Sequence, residues 1–201
     1  KPQAFPGINR DSVQAHGLIA WWPFAFAGGN LIDVVGGSHG TLTNGPVWIG
    51  DPIGGSALSF DGTNDLVDCG NSTRLDAADN VSIACRVLFE HDQFDFPDYE
   101  KIIIKGDVAS AVTNYCLDAR LHPGTDILRL YYHDGVDYRI LSVTWSTYLT
   151  NKVWYHLAGT LKKNAGNTDA AMYVDGKQVA TSTLTGNVIA SAENVIFGAA
   201  S

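Results

Sequence analysis

The chain has 201 residues, 45% of them hydrophobic and only 17% charged, enough apolar surface for a sizeable core and too little charge for a disordered chain. Its net charge of −8, with no basic run longer than Lys162-Lys163, argues against nucleic acid as a partner. The 21 glycines follow no collagen period and point to many turns between short strands, the pattern of a single all-β domain.

Taken in chain order, residues 1–15 are polar and punctuated by Pro and Gly, and read as an arm. Residues 16–201 read as one domain. The apolar stretch from Gly17 to Gly29 is interrupted by Pro23 and too short to span a bilayer, so no membrane insertion is expected. No charged segment followed by a cleavage site marks a signal peptide. From Gly17 onward, short β-rich runs alternate with turn clusters, and no window carries a helical period. Strands are expected at Leu18–Phe24, Ala57–Phe60, Leu66–Cys69, Val81–Phe89, Lys101–Lys105 and Tyr115–Ala119. More follow at Leu128–His133, Tyr138–Val143, Trp154–Leu161, Ala170–Val174, Lys177–Thr181 and Val195–Gly198. A dozen short strands without internal repeats suggest two packed sheets.

Two hairpins stand out. Asp175-Gly176 between Val174 and Lys177 is a dipeptide favoured in tight two-residue turns, which need positive φ. Around Asp134-Gly135, a three-residue loop from Asp134 to Val136 would pair Leu130 with Ile140 and Tyr132 with Tyr138 on one face. It would set Tyr131 opposite Arg139 and His133 opposite Asp137 on the other. Three cysteines, Cys69, Cys85 and Cys116, cannot all pair within the chain, and no C-x-x-C motif suggests zinc or redox chemistry. Cys85 falls on an inward position of its strand, and one internal disulfide stays open.

Several phrases occur in a fixed order: Gly17-Leu18-Ile19-Ala20-Trp21-Trp22-Pro23-Phe24, Asp33-Val34-Val35-Gly36-Gly37, Ala57-Leu58-Ser59-Phe60-Asp61-Gly62, Val81-Ser82-Ile83-Ala84, Trp154-Tyr155-His156-Leu157-Ala158-Gly159-Thr160 and Tyr173-Val174-Asp175-Gly176. In this order they closely resemble the laminin-G-like members of the concanavalin A-like lectin/glucanase superfamily, from about Gly17 to Gly198. The resemblance implies a two-sheet antiparallel jelly-roll sandwich that binds glycans or proteins outside cells. The opening also resembles laminin-G-like domains carried on phage structural and bacterial surface proteins, which implies an extracellular or particle-surface location. The pattern departs in three places. Ala25-Phe26-Ala27 replaces the usual acidic residue, Arg86 stands where a Trp is frequent, and the sequence given stops at Ser201 without the family's closing strand. The first strand would then be left with an unpaired edge, so the chain is expected to be a fragment of a longer protein, to fold its arm at residues 1–15 over the gap, or to take the missing strand from a neighbouring subunit by self-association.

Family members often hold a structural calcium in an Asp-x-x-Gly loop, so the resemblance implies Asp33 with Gly36 and Gly37 as first ligands, and Asp61 with Asn64 and Asp65 as second. The alternative is that these Asp residues cap backbone amides in turns. Trp22, Trp154, Tyr155 and His156 are expected to be packing residues. Catalysis has no constellation: Glu occurs only at Glu90, Glu100 and Glu193, without the E-x-D-x-E strand of the glucanases. For carbohydrate, Tyr131, Tyr132, His133, Asp134 and Tyr138 gather aromatic faces and polar groups around one hairpin. The expected function is a non-catalytic adhesion module recognising a glycan or a surface protein. The alternative is a structural subunit, a virion decoration or filament protein, assembling through the same sandwich.

Overall fold

The computed structural model describes residues 8–9, 11–25, 28–53, 55–76, 79–90, 99–107, 112–120 and 126–198. Among them are thirteen strands: β1 Thr41–Thr43, β2 Val47–Gly50, β3 Ser56–Ser59, β4 Leu66–Asp68, β5 Asn80–Leu88, β6 Tyr99–Gly106, β7 Thr113–Arg120, β8 Ile127–His133, β9 Tyr138–Thr144, β10 Trp154–Asn164, β11 Asn167–Val174, β12 Lys177–Thr185 and β13 Val195–Phe197. A seven-stranded sheet runs β1-β4-β13-β6-β7-β8-β9, a four-stranded sheet runs β12-β11-β10-β5, and β2 pairs with β3. The pairings between adjacent strands among the described residues are antiparallel, as in a sandwich built from hairpins and longer returns.

Period-two alternation sets the core. On β8, Leu128, Leu130 and Tyr132 are buried with Leu141 of β9, facing Leu157, Leu161 and Met172 of the smaller sheet. A second cluster, around Leu31, Val67, Leu75 and Val195, fills the inner face of β1, β4 and β13, beyond the smaller sheet. Its lid is the β2–β3 hairpin with the segment from Ala20 to Phe24, which contributes Trp48, Leu58, Trp22 and Phe24. Ile103 packs against both clusters and joins them.

The Asp175-Gly176 turn is the expected two-residue one: Val174 pairs with Lys177, and both turn residues have positive φ, 47° and 76°. The β8–β9 hairpin differs by one residue from expectation. Leu130 pairs with Leu141, Tyr131 with Ile140, Tyr132 with Arg139 and His133 with Tyr138, leaving a four-residue loop from Asp134 to Asp137. The cause is Asp134, whose Oδ1 accepts the N–H groups of Val136 at 2.9 Å and Asp137 at 2.8 Å and stabilises the longer turn. This register turns Leu141 inward, where the shorter loop would have turned Ile140.

The segment Leu18–Phe24 is not a strand, despite its composition. The N–H of Trp21 donates to the Asp33 carboxylate, Pro23 has none to give, and Phe24 lies at φ 51°. Its carbonyls at Trp21 and Phe24 instead accept from Val34 and Ser56 of the same chain. The unpaired first-strand edge expected from the sequence is therefore absent, and with it the structural argument for self-association at that place. First and last segments still meet, as side chains: the rings of Trp22 and Phe197 pack edge to face at 5.0 Å. Most of the arm lies outside the described residues, which show a 3-10 turn at Val13–Ala15. The three cysteines are free thiols.

Candidate functional site

The seven-stranded sheet has a second face, directed away from the sandwich core. Cross-strand register runs one row across it from end to end: Thr41, Asp68, Ile196, Ile104, Cys116, Tyr131 and Ile140. The neighbouring row holds Lys101, Asp118, Arg129 and Ser142. Asp118 is fully buried; the Arg129 guanidinium grips both its oxygens, at 2.8 and 2.5 Å, and Lys101 stands 3.3 Å away. These charges sit on strands legible in the sequence, at their outward positions. What the sequence hides is the cross-strand register that brings them together.

Tyr131 is buried in this face with the Arg129 guanidinium 5.0 Å from its ring centre. Burial raises the Tyr131 hydroxyl and the Cys116 thiol above their ordinary pKa values, and the two share a hydrogen bond. Toward the β8–β9 loop, Tyr138 packs edge to face against Tyr131 at 5.7 Å and against His133 at 5.1 Å. His133 Nδ1 accepts the N–H of Gly135. Tyr138 is 38% exposed and Ile140 43%, so the open end of this face is an aromatic and aliphatic ledge on buried supports.

The five residues expected to meet a glycan thus divide. Tyr131, His133 and Tyr138 come together. Asp134 is at hand as the loop's organiser: its Oδ2 accepts from Arg139 at 2.7 Å, and hydrogen bonds, first of all from the Asp137 N–H, lower its pKa to about 2. Tyr132 points the other way, fully buried in the core with its hydroxyl donating to the carbonyls of Thr185 and Gly186. The one-residue register difference does not explain this; strand alternation alone sets neighbours Tyr131 and Tyr132 on opposite faces.

The calcium ligands expected from the sequence do not fit at Asp33. Its carboxylate, 3% exposed, accepts the N–H groups of Trp21, Val35, Gly36 and Ser38 at 2.9–3.1 Å. Four amide dipoles aimed at the oxygens leave no lone pairs for a cation and repel it. At Gly36 a Cβ would meet the Ile19 carbonyl oxygen at 2.5 Å, so this residue must be glycine to let the loop close on Asp33. Asp61 is an exposed turn cap: its Oδ1 accepts from Thr63 at 2.8 Å and Asn64 at 3.4 Å, while Asp65 accepts the N–H of Asp61. Among the described residues, no group of three or more His, Cys, Asp or Glu is placed to hold a metal ion.

Of the expected packing residues, Trp22 and Tyr155 lie against the two cores. Trp154 does not. It stands on the outward face of the smaller sheet, beneath the Arg86 guanidinium at 4.6 Å, and Arg86 is in turn paired with Asp51. His156, opposite Arg86, is exposed.

A family model described as the concanavalin A-like lectin/glucanases superfamily matches residues 61–201. No curated protein matches the chain. Among solved structures, the receptor-binding domain of botulinum neurotoxin mosaic serotype C/D aligns with TM-score 0.61 at 14% identity, over 84% of this chain and 40% of that one. Full-length tailspike protein 2 of an Escherichia coli O157:H7 bacteriophage aligns with TM-score 0.54 at 16% identity, over 79% of this chain and 22% of that one. The chain thus spans less than half of either, and at these identities the likeness is one of fold.

Proposed function

Because this chain belongs to the concanavalin A-like lectin/glucanases superfamily, we propose that it is a non-catalytic module that recognises carbohydrate on a cell or particle surface. The observation that carries this reading is the open ledge of Tyr138, buttressed by Tyr131 and His133, on the outward face of the seven-stranded sheet. Sugars stack their C–H faces on exposed aromatic rings and offer their hydroxyls to fixed polar groups beside them. A ring held from two sides loses little freedom on binding. Hydrolysis is a poor match, since a glycosidase needs two carboxylates flanking one bond, and Asp118 on this face is engaged by Arg129 and Lys101.

A glycan array tests the reading. Wild-type protein should be retained on a subset of glycans, and Tyr138→Ala should weaken that retention by about tenfold or more, roughly 1.4 kcal/mol, with its melting temperature little changed. No retention by the wild type, or retention indifferent to Tyr138, would sink it. The exposure of Tyr138 and Ile140 on edge strand β9, and of Val136 in the loop before it, also favours a second reading, a subunit that associates through this edge. Sedimentation showing assemblies dissolved by Ile140→Lys, without glycan retention, would favour that one.

A further inference from the structure

The opposite end of the same sheet face carries a cleft of about 600 Å³. It lies between the Asp33 loop and the chain leaving β4, and is lined by His39, Thr41, Thr43, Asp68, Gly70 and Ser72 among others. We propose that this cleft is a second saccharide site, taking a single neutral sugar ring through its hydroxyls. The proposal rests on the reading of the chain as a carbohydrate-binding module.

The lining chemistry selects the ligand class. Thr41, Thr43 and Ser72 bring hydroxyls that make no hydrogen bond with other described residues. Asp68 accepts from the Gly70 N–H and from Asn194 Nδ2 on Oδ1, and from Asn194 Nδ2 on Oδ2. A carboxylate has about four acceptor directions, so three contacts leave one, on Oδ2, for a ligand hydroxyl. His39 spends its Nδ1 accepting the N–H of Asp33, which leaves Nε2 as its other polar atom. At Gly37 and Gly70 a Cβ would meet nothing within 4 Å, so both walls are bare backbone in positive φ. Close approach to a ligand is one use of such positions.

The site is also prepared. The Asp33 carboxylate fixes one wall through Val35, Gly36 and Ser38, and the Trp22 indole N–H ties down the Ser38 carbonyl at 2.8 Å. Asn194 fixes the Asp68 carboxylate. Groups already held in place need no ordering when a ligand arrives. Among the described residues of the lining, Asp68 is the only carboxylate and there is no Lys or Arg, so a uronic acid or phosphate would meet like charge.

The test is amide chemical-shift mapping with methyl glucoside, methyl galactoside and methyl mannoside as probes, in EDTA-treated buffer, with glucuronic acid as the charged comparison. Saturable shifts at Gly37, Thr41, Gly70 and Ser72 are expected with at least one neutral probe, and weaker ones with glucuronic acid. They should persist in Tyr138→Ala and vanish in Thr43→Trp, which fills the cleft from an exposed strand position without removing a core contact. Shifts confined to the surroundings of Tyr138 would overturn this site and leave the module's glycan reading standing. Cleft shifts that survive a folded Thr43→Trp unchanged would also overturn it. Silence in both regions with all probes, together with an empty glycan array, would overturn both.

Discussion

Gly159 of β10 and Leu130 of β8 touch across the sandwich so closely that a Cβ on Gly159 would lie 2.7 Å from Leu130 Cδ1. Leu130 is fully buried and cannot swing clear, so this contact sets the local spacing of the two sheets. Gly159→Ala should therefore destabilise the protein by about 1–3 kcal/mol, the usual cost of overpacking, despite the entropy it removes from the unfolded chain. Urea denaturation measures it. Combining it with Leu130→Val should be less than additive by at least about 0.5 kcal/mol, and strict additivity would refute the contact.

Asp134 gives the hairpin a pH dependence. Its pKa is lowered from 3.8 to about 2, chiefly by the Asp137 N–H and with help from Val136 and Arg139. A depressed carboxyl pKa contributes stability that is complete above the unfolded value and is lost as pH falls toward the folded one. Stability should thus decline between about pH 5 and pH 2. Asp134→Asn should flatten that part of the profile, and a carboxyl titration by NMR should place the midpoint near 2. A midpoint at 3.8 or above would refute the role.

Asp33 should matter for stability without calcium. Removing one buried acceptor strands four amides, and each unsatisfied group costs about 1–3 kcal/mol before water or relaxation recovers part. Asp33→Ala is expected to cost at least about 3 kcal/mol. Melts of the wild type in EDTA and in millimolar calcium should coincide. A calcium-dependent rise that disappears in Asp61→Ala would instead assign an ion to the Asp61 turn.

The three thiols should be silent in the native state. Burial pushes Cys85 up to about 12 and raises Cys69 and Cys116 as well, so little thiolate is present near neutrality. A thiol reagent at pH 8 should label none of them until denaturant is added. Prompt labelling of one would show an opening at that strand.

Much of the sandwich was legible because strand alternation and turn chemistry are local properties. The run from Val81 to Phe89 and the Asp175-Gly176 turn needed no information beyond their own residues. Failures arose where a distant or side-chain group decided the backbone. Trp21 and Trp22 look like strand, yet Asp33, twelve residues on, takes the Trp21 N–H. The β8–β9 register turned on which amides the Asp134 carboxylate would cap. Thr41–Thr43 and Val47–Gly50 were missed because three or four residues carry almost no period. In the candidate site, the Tyr131–Tyr138–His133 group was visible as composition, but the Asp118–Arg129 pair was not, because register across strands joins them.

Strand β13 is three residues long, yet it lies inside the large sheet, between β4 and β6. Its neighbours are complete by Gly106, so a growing polypeptide holds β4 and β6 apart, or pairs them wrongly, until residues 195–197 have been synthesised. Hairpins such as β7–β8–β9 can form early from local contacts, while the sheet's middle waits on the most distant one. Ribosome-bound chains released just before Val195 should accordingly be protease-sensitive over residues 41–68 and resistant over β10–β11. The domain would snap shut only once Val195–Phe197 has emerged, instead of condensing progressively behind the exit tunnel.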